Sequence, residues 1–157
     1  MNIILILVAS IVGTSVMTAF SYFMSRIFSN QFREPQLLNE IFNGWKSFPI
    51  QVGKKSPFGW FIHYLVGFIF TIGFAYVWNN VEMARPDYLT GAVFGFFAGV
   101  IGIFTWQLML NIVKKPPKIV LHEHFIQLLI AHIIFGLGVI AVYQMDSTQN
   151  LFFIDYL

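Results

Sequence analysis

The chain contains no cysteine and very little charge, and each shortage removes whole classes of function. Without Cys there is no disulfide, thiolate nucleophile, iron–sulfur cluster or thioether-attached haem. Charged residues make up 10% of the 157 residues, less than half the about 25% of an ordinary soluble domain. That deficit excludes a disordered tail, a basic nucleic-acid-binding domain and a typical water-soluble enzyme. What stands in its place is apolar: 57% of the residues are hydrophobic, and 19 Phe, 6 Tyr and 4 Trp make the chain 18% aromatic.

The uncharged stretches decide the class. No Asp, Glu, Lys or Arg occurs in Met1–Ser25, Ser56–Val81, Tyr88–Val113 or Phe125–Met145. Crossing a hydrocarbon core of ~30 Å takes roughly 20 helical residues, and each stretch supplies them. Helix is the required backbone, because an open strand leaves its amides unpaired in lipid. The expected architecture is an all-α four-helix transmembrane bundle in one domain spanning 1–157, with spans at about 3–25, 58–79, 89–112 and 122–144. The first span is read as a retained helix rather than a cleaved signal. Its start carries no Lys or Arg, and no convincing small-x-small cleavage site precedes Arg26.

All nine basic residues lie between spans. Arg26, Arg33, Lys46, Lys54 and Lys55 fall in the first loop, Arg85 alone in the second, and Lys114, Lys115 and Lys118 in the third. Basic residues are retained on the cytoplasmic side, so loops 26–57 and 113–122 are expected in the cytoplasm and both termini outside. Glu82, Asp87, Asp146 and Asp155 then fall on the outer face. Trp60, Trp78, Tyr76, Tyr88 and Tyr143 lie near span ends, where aromatic belts form.

Within the first loop, Pro35 opens a run in which Leu37, Leu38, Ile41, Phe42 and Trp45 recur with helical spacing. Gln36, Asn39, Glu40 and Asn43 occupy the other face, and Gly44 and Pro49 limit the length. This predicts a short helix, either interfacial at the cytoplasmic membrane surface or packed as a cap beneath the bundle. A short internal echo is also present. His63 and Gly67 in the second span match His132 and Gly136 in the fourth, and Tyr76 matches Tyr143. Ala9 and Gly13 in the first span match Ala98 and Gly102 in the third, as two parallel two-helix repeats would require.

Lipid tails are as apolar as Leu, so close backbone approach and interhelical hydrogen bonds must hold the spans together. Gly91, Gly95 and Gly99 form a side-chain-free groove on the third span, with Gly67 and Gly136 as further packing positions. Ser10, Thr14, Thr18, Ser21 and Ser25 line one face of the first. The first span, or an adjacent one, is expected to fill the glycine groove; the alternative is that the groove pairs two protomers in a homo-oligomer.

The candidate site residues are few. The ionisable groups within the spans are His63 and His132, while His122, Glu123 and His124 stand at the cytoplasmic start of the fourth. Imidazole suits Zn, Cu or Fe, and two facing His could hold a haem. His122 and His124 point about 160° apart on a helix, and His124 and His132 are two turns apart. The candidate metal set is therefore His63, His132 and His124, and the candidate ligand-binding set is His63, His132, Tyr64 and Gln107. The competing reading has both span histidines hydrogen-bonded across helix interfaces. Gln107 and Asn111, one turn apart, read as interhelical glue, and Met17, Met24 and Met109 as packing or soft copper ligands. There is no phosphate-binding glycine loop, Ser/His/Asp order or paired carboxylates, so no catalytic residue is assigned.

Gly59-Trp60-Phe61-Ile62-His63-Tyr64-Leu65-Val66-Gly67 and Ala131-His132-Ile133-Ile134-Phe135-Gly136-Leu137-Gly138, with Pro116-Pro117 ahead of the fourth span, resemble the DUF2938 family. These are small bacterial multi-span membrane proteins of unknown function. The resemblance implies an inner-membrane location and singles out His63 and His132. Three functions are compatible with these observations. One is a non-enzymatic packing or binding module with no cofactor. The second is a haem, metal or lipophilic-ligand (quinone-like) protein using His63 and His132, and the third is a small transporter. The lipid bilayer is the expected partner; nucleic acid is not.

Overall fold

The computed structural model describes residues 2–45, 52–81 and 85–154, with side chains through Asp146. Lys46, Pro49, Glu82 and Asp155, named above, lie outside the described residues. Five helices follow one another: α1 (Ile3–Ile27), α2 (Glu34–Gly44), α3 (Phe58–Asn80), α4 (Tyr88–Ile112) and α5 (Leu121–Ile154). Among the described residues there is no strand. Four helices are long and apolar enough to cross a membrane: Ile3–Ile27, Phe58–Asn80, Tyr88–Ile112 and Leu121–Asp146. They coincide with the four expected spans, and α5 runs on to Ile154.

Local chemistry sets the helix starts. The Asn2 side chain accepts hydrogen bonds from the amides of Ile4 and Leu5, capping α1. At α4, Asp87 accepts from Thr90 N at 2.8 Å, and Thr90 Oγ1 accepts from Asp87 N at 3.2 Å, a reciprocal capping box.

The bundle buries polar groups among its apolar core residues and is apolar outside. On α1 the buried positions are Ile6, Ala9, Ser10, Gly13, Thr14, Met17, Thr18, Ser21 and Ser25, one helical face that includes the whole hydroxyl stripe. Ile4, Ile11, Phe23, Phe61, Ile69, Phe97, Phe104 and Ile126 are exposed. Burying hydroxyls while presenting Phe and Ile outward costs free energy in water and is favourable in lipid.

The helices run up and down, and α5 is the central strut, packed against α4 on one side and α1 on the other. The α4 glycines set the first interface. A Cβ at Gly91 would strike Ile140, one at Gly95 the carbonyl of His132, and one at Gly136 the carbonyl of Gly91. The partner in the α4 groove is therefore α5 and not α1, and the filled groove is not free to receive a second protomer. On the opposite side, α1 packs against α5 and α3. A Cβ at Gly13 would stand 2.9 Å from Phe135 O, and Gly67 makes room for the Thr14 hydroxyl. The two echoed glycines thus each face the preceding span: Gly67 faces α1 and Gly136 faces α4.

Helix α2 settles the reading of the first loop in favour of a cap. Leu37, Leu38 and Ile41 are buried beneath the bundle. Asn39, expected on the polar face, is buried too. Its Oδ1 accepts from Gly59 N at 2.8 Å, and its Nδ2 donates to Ser56 O and Lys54 O at 2.8 and 3.2 Å. One amide thereby ties α2 to the start of α3. The close fit leaves no space for a side chain at Gly59, where a Cβ would strike Pro35 O. The α4–α5 connection sits at this same end: Asn30 Nδ2 donates to Glu123 Oε2, and Val113 lies against Gly44.

Candidate functional site

The outer helices α3 and α4 meet at the end remote from α2. There Phe94 packs against Phe74 and Trp78 at ring-centroid distances of 5.2 and 5.6 Å, and Tyr143 against Trp78 at 5.1 Å. Towards α2 they part, and a cavity of about 260 Å³ lies between them. Its walls come from all five helices: Thr14 and Met17 of α1, Glu34 and Leu38 of α2, His63, Val66, Gly67, Ile69 and Phe70 of α3, Gly102, Thr105, Trp106 and Met109 of α4, and Leu128, His132 and Phe135 of α5. Val66 and Ile69 on the α3 edge are 41% and 58% exposed, and Thr105 on the α4 edge is exposed. The cavity thus opens sideways, through the flank that faces lipid.

His63 and His132 both line this cavity. Counted from their helix starts they stand at different depths; the stagger of α3 and α5 brings them to one space. The hydrogen bonds fix each tautomer. Thr18 Oγ1 donates its proton to Thr14 O at 2.6 Å. The same oxygen lies 3.0 Å from His63 Nε2 and can only accept there, so Nε2 carries the hydrogen. His132 Nδ1 lies 2.8 Å from Leu128 O, and a carbonyl only accepts, so Nδ1 carries the hydrogen. Each neutral ring is left with one lone pair, on His63 Nδ1 and His132 Nε2, that has no protein partner among the described residues. Gly102 clears the wall beside His132: a Cβ there would come within 3.3 Å of Nε2.

Glu34 closes the α2 end of the cavity and is only 2% exposed. Its Oε1 accepts from Ser21 Oγ at 2.8 Å and from Gln127 Nε2 at 3.4 Å, and Gln127 Nε2 also donates to Ser21 at 2.7 Å. Its Oε2 has no hydrogen-bond partner among the described residues. Burial pushes this carboxyl up to about 7, against the opposing pull of its hydrogen bonds. This carboxyl and the two imidazoles thus line one cavity.

The other sequence candidates lie elsewhere. Tyr64 shares a hydrogen bond of 2.9 Å with Ser15 and stands on the far side of α3. Gln107 and Asn111 do not bridge helices; they are exposed and border a hollow of about 350 Å³ against Pro116, Pro117 and Lys118. His124 is fully buried off the cavity, stacked on Phe32 at 6.4 Å and edge-on to Trp106 at 5.3 Å. It does not join His63 and His132. Among the described residues no three His, Cys, Asp or Glu side chains are grouped closely enough to hold a metal ion. Met17 and Met109 do line the cavity, whereas Met24 does not.

Glu34 is the site residue that sequence reasoning missed. The signal was present: positions 34, 37, 38 and 41 share one helical face, so the acid begins the apolar face of α2.

An all-helical bundle with an apolar exterior and a side-opening cavity defines the class, an integral membrane protein. The chain matches no protein-family model, no curated protein and no solved structure.

Proposed function

We propose that this protein is a non-enzymatic binding module that takes a lipophilic, quinone-like small molecule from the bilayer into the cavity between α3 and α4. The observation that carries this reading is the pair of buried imidazoles on α3 and α5. Each spends one nitrogen on the protein and keeps the other for whatever enters. Buried polar groups are otherwise almost always paired, and pairing His63 to Thr18 and His132 to Leu128 O would satisfy a purely structural role only by half. Apolar walls with a few convergent polar groups are the usual make-up of a small-molecule site. At about 260 Å³ the cavity suits a single substituted ring better than a porphyrin.

A second reading draws on Met17 and Met109, which line the same space. An imidazole lone pair with a neighbouring thioether is a soft ligand pair for a transition metal such as copper. Metal analysis of the purified protein separates the two readings.

The positive-inside rule supports an orientation with the α2 end and both basic loops in the cytoplasm and the termini outside, and the DUF2938 resemblance supports a bacterial cytoplasmic membrane. Membership of the DUF2938 family is proposed on the two His-containing segments.

The test is photolabelling in native membranes with an alkylated aromatic diazirine. Labels are expected on Val66 and Phe70 of α3 and on Trp106 and Met109 of α4, and are expected to vanish in Gly102→Leu. Labelling confined to the outward residues Phe97, Phe104 and Ile126 overturns the reading.

A further inference from the structure

The hydrogen-bond directions go further than a general lipophile. The lone pairs that His63 and His132 bring to the cavity are both acceptors, because each ring's proton is committed to the protein. The other polar groups of the lining do not balance this. Thr14 Oγ1 and Glu34 Oε2 are sealed from any probe of the cavity, and the Thr105 proton is spent on Ile101 O at 2.8 Å. Among the lining side chains the indole N–H of Trp106 is the donor that remains. A ligand completing this site must therefore bring protons to the two imidazoles.

The two acceptors also enter the cavity from different helices, His63 from α3 and His132 from α5. The His132 ring meets α3 edge-on at Phe70, with centroids 6.1 Å apart, seven residues beyond His63. Seven residues are roughly 10 Å of helix rise along α3. Two acceptors offered to one cavity from different helices suit a rigid ring with a donor at each end. Phe70, Trp106 and Phe135 supply aromatic walls for such a ring.

We infer that the cavity is selective for the reduced, dihydroxy form of a lipophilic ring, with its para hydroxyls donating to His63 Nδ1 and His132 Nε2. The oxidised dicarbonyl form would oppose oxygen lone pairs to nitrogen lone pairs at both ends. A phenolic oxygen can also accept from Trp106 while donating to an imidazole, which a dicarbonyl ring can match only in its accepting half. Sites built around a substrate hydroxyl reject the analogue lacking it strongly, because buried partners are left unpaired. This inference rests on the lateral-cavity reading and specifies its ligand; no electron transfer is involved, only equilibrium binding.

Three probes test it on the purified full-length protein in detergent under anaerobic conditions: a decyl-substituted hydroquinone, its dimethyl ether and the corresponding benzoquinone. Titration calorimetry is expected to give a Kd for the hydroquinone at least tenfold lower than for either of the others. His63→Leu and His132→Leu are each expected to bring the three constants towards equality. The wild-type series alone decides the matter should either variant fail to fold. If the three probes bind within threefold of one another, the cavity stands and its hydroxyl selectivity is overturned. If none binds, the lateral-cavity reading falls and the selectivity with it.

Discussion

Thr18 of α1 and His63 of α3 are joined at 3.0 Å by a hydrogen bond whose direction is dictated by a third group, the carbonyl of Thr14. Removing the Thr18 hydroxyl leaves the His63 Nε2–H buried with no acceptor. An unmade bond of this kind costs about 1–3 kcal/mol. Thr18→Val is therefore expected to lower the thermal midpoint in detergent measurably, and Thr18→Ser, which keeps the hydroxyl, to restore most of it. Equal midpoints for wild type and Thr18→Val would show that the bond is not made.

The α4–α5 seam makes an equally sharp forecast. At Gly95 and Gly136 a Cβ would run into the backbone of the facing helix, which cannot retreat as a flexible side chain can. Gly95→Leu and Gly136→Val are expected to abolish the folded, monodisperse species in size-exclusion chromatography. Gly73 lies within α3 with nothing within 4 Å of its missing Cβ. Gly73→Ala is expected to be neutral or stabilising by up to about 1 kcal/mol through helix propensity.

Glu34 makes stability depend on pH in a defined direction. Its carboxyl rises from 4.5 to about 7 on folding, so the folded state holds its proton where the unfolded state has lost it. The favourable contribution is complete below about pH 4.5 and is lost as pH rises through 7. At ~1.4 kcal/mol per pH unit it amounts to about 3 kcal/mol across that window. Glu34→Gln keeps an oxygen acceptor for Ser21 and Gln127 and carries no charge. The variant is expected to match wild type in thermal midpoint near pH 5 and exceed it at pH 8; parallel pH curves for the two would refute the assignment.

The connections 28–33 and 113–120 lie at one end of the bundle together with α2, since Asn30 reaches Glu123 and Gly44 lies against Val113. Single cysteines substituted for Lys54 and Lys115 in this cysteine-free chain are expected to react with an impermeant maleimide from the same side of sealed vesicles. Reaction from opposite sides would contradict the topology.

The spans were legible because crossing lipid is a property of each segment alone: an uncharged stretch of some twenty residues is transferred as a unit, whatever its neighbours. The hydroxyl stripe of α1 and the glycine spacing of α4 were legible for the same reason, as one face of one helix. Their partners were not. Gly91, Gly95 and Gly99 admit any helix that approaches closely, and the rotation of α5, with Gly136 turned to Gly91, decided which one does. Asn39 read as solvated because its neighbours on that face are polar, yet the start of α3 passes close enough to take both ends of its amide.

What the amino-acid sequence determined by itself is the solvent of each segment: four apolar helices for the bilayer, and basic connections collected at one end. What only the tertiary structure decided is the site. His63 and His132 lie 69 positions apart in the chain; the stagger of α3 against α5, and the parting of α3 from α4 below Phe94, put them around one cavity with Glu34 at its end. Transfer free energy is additive along a chain and can be read locally. Relative rotation and stagger depend on how several surfaces interlock at once, and no single segment carries that information.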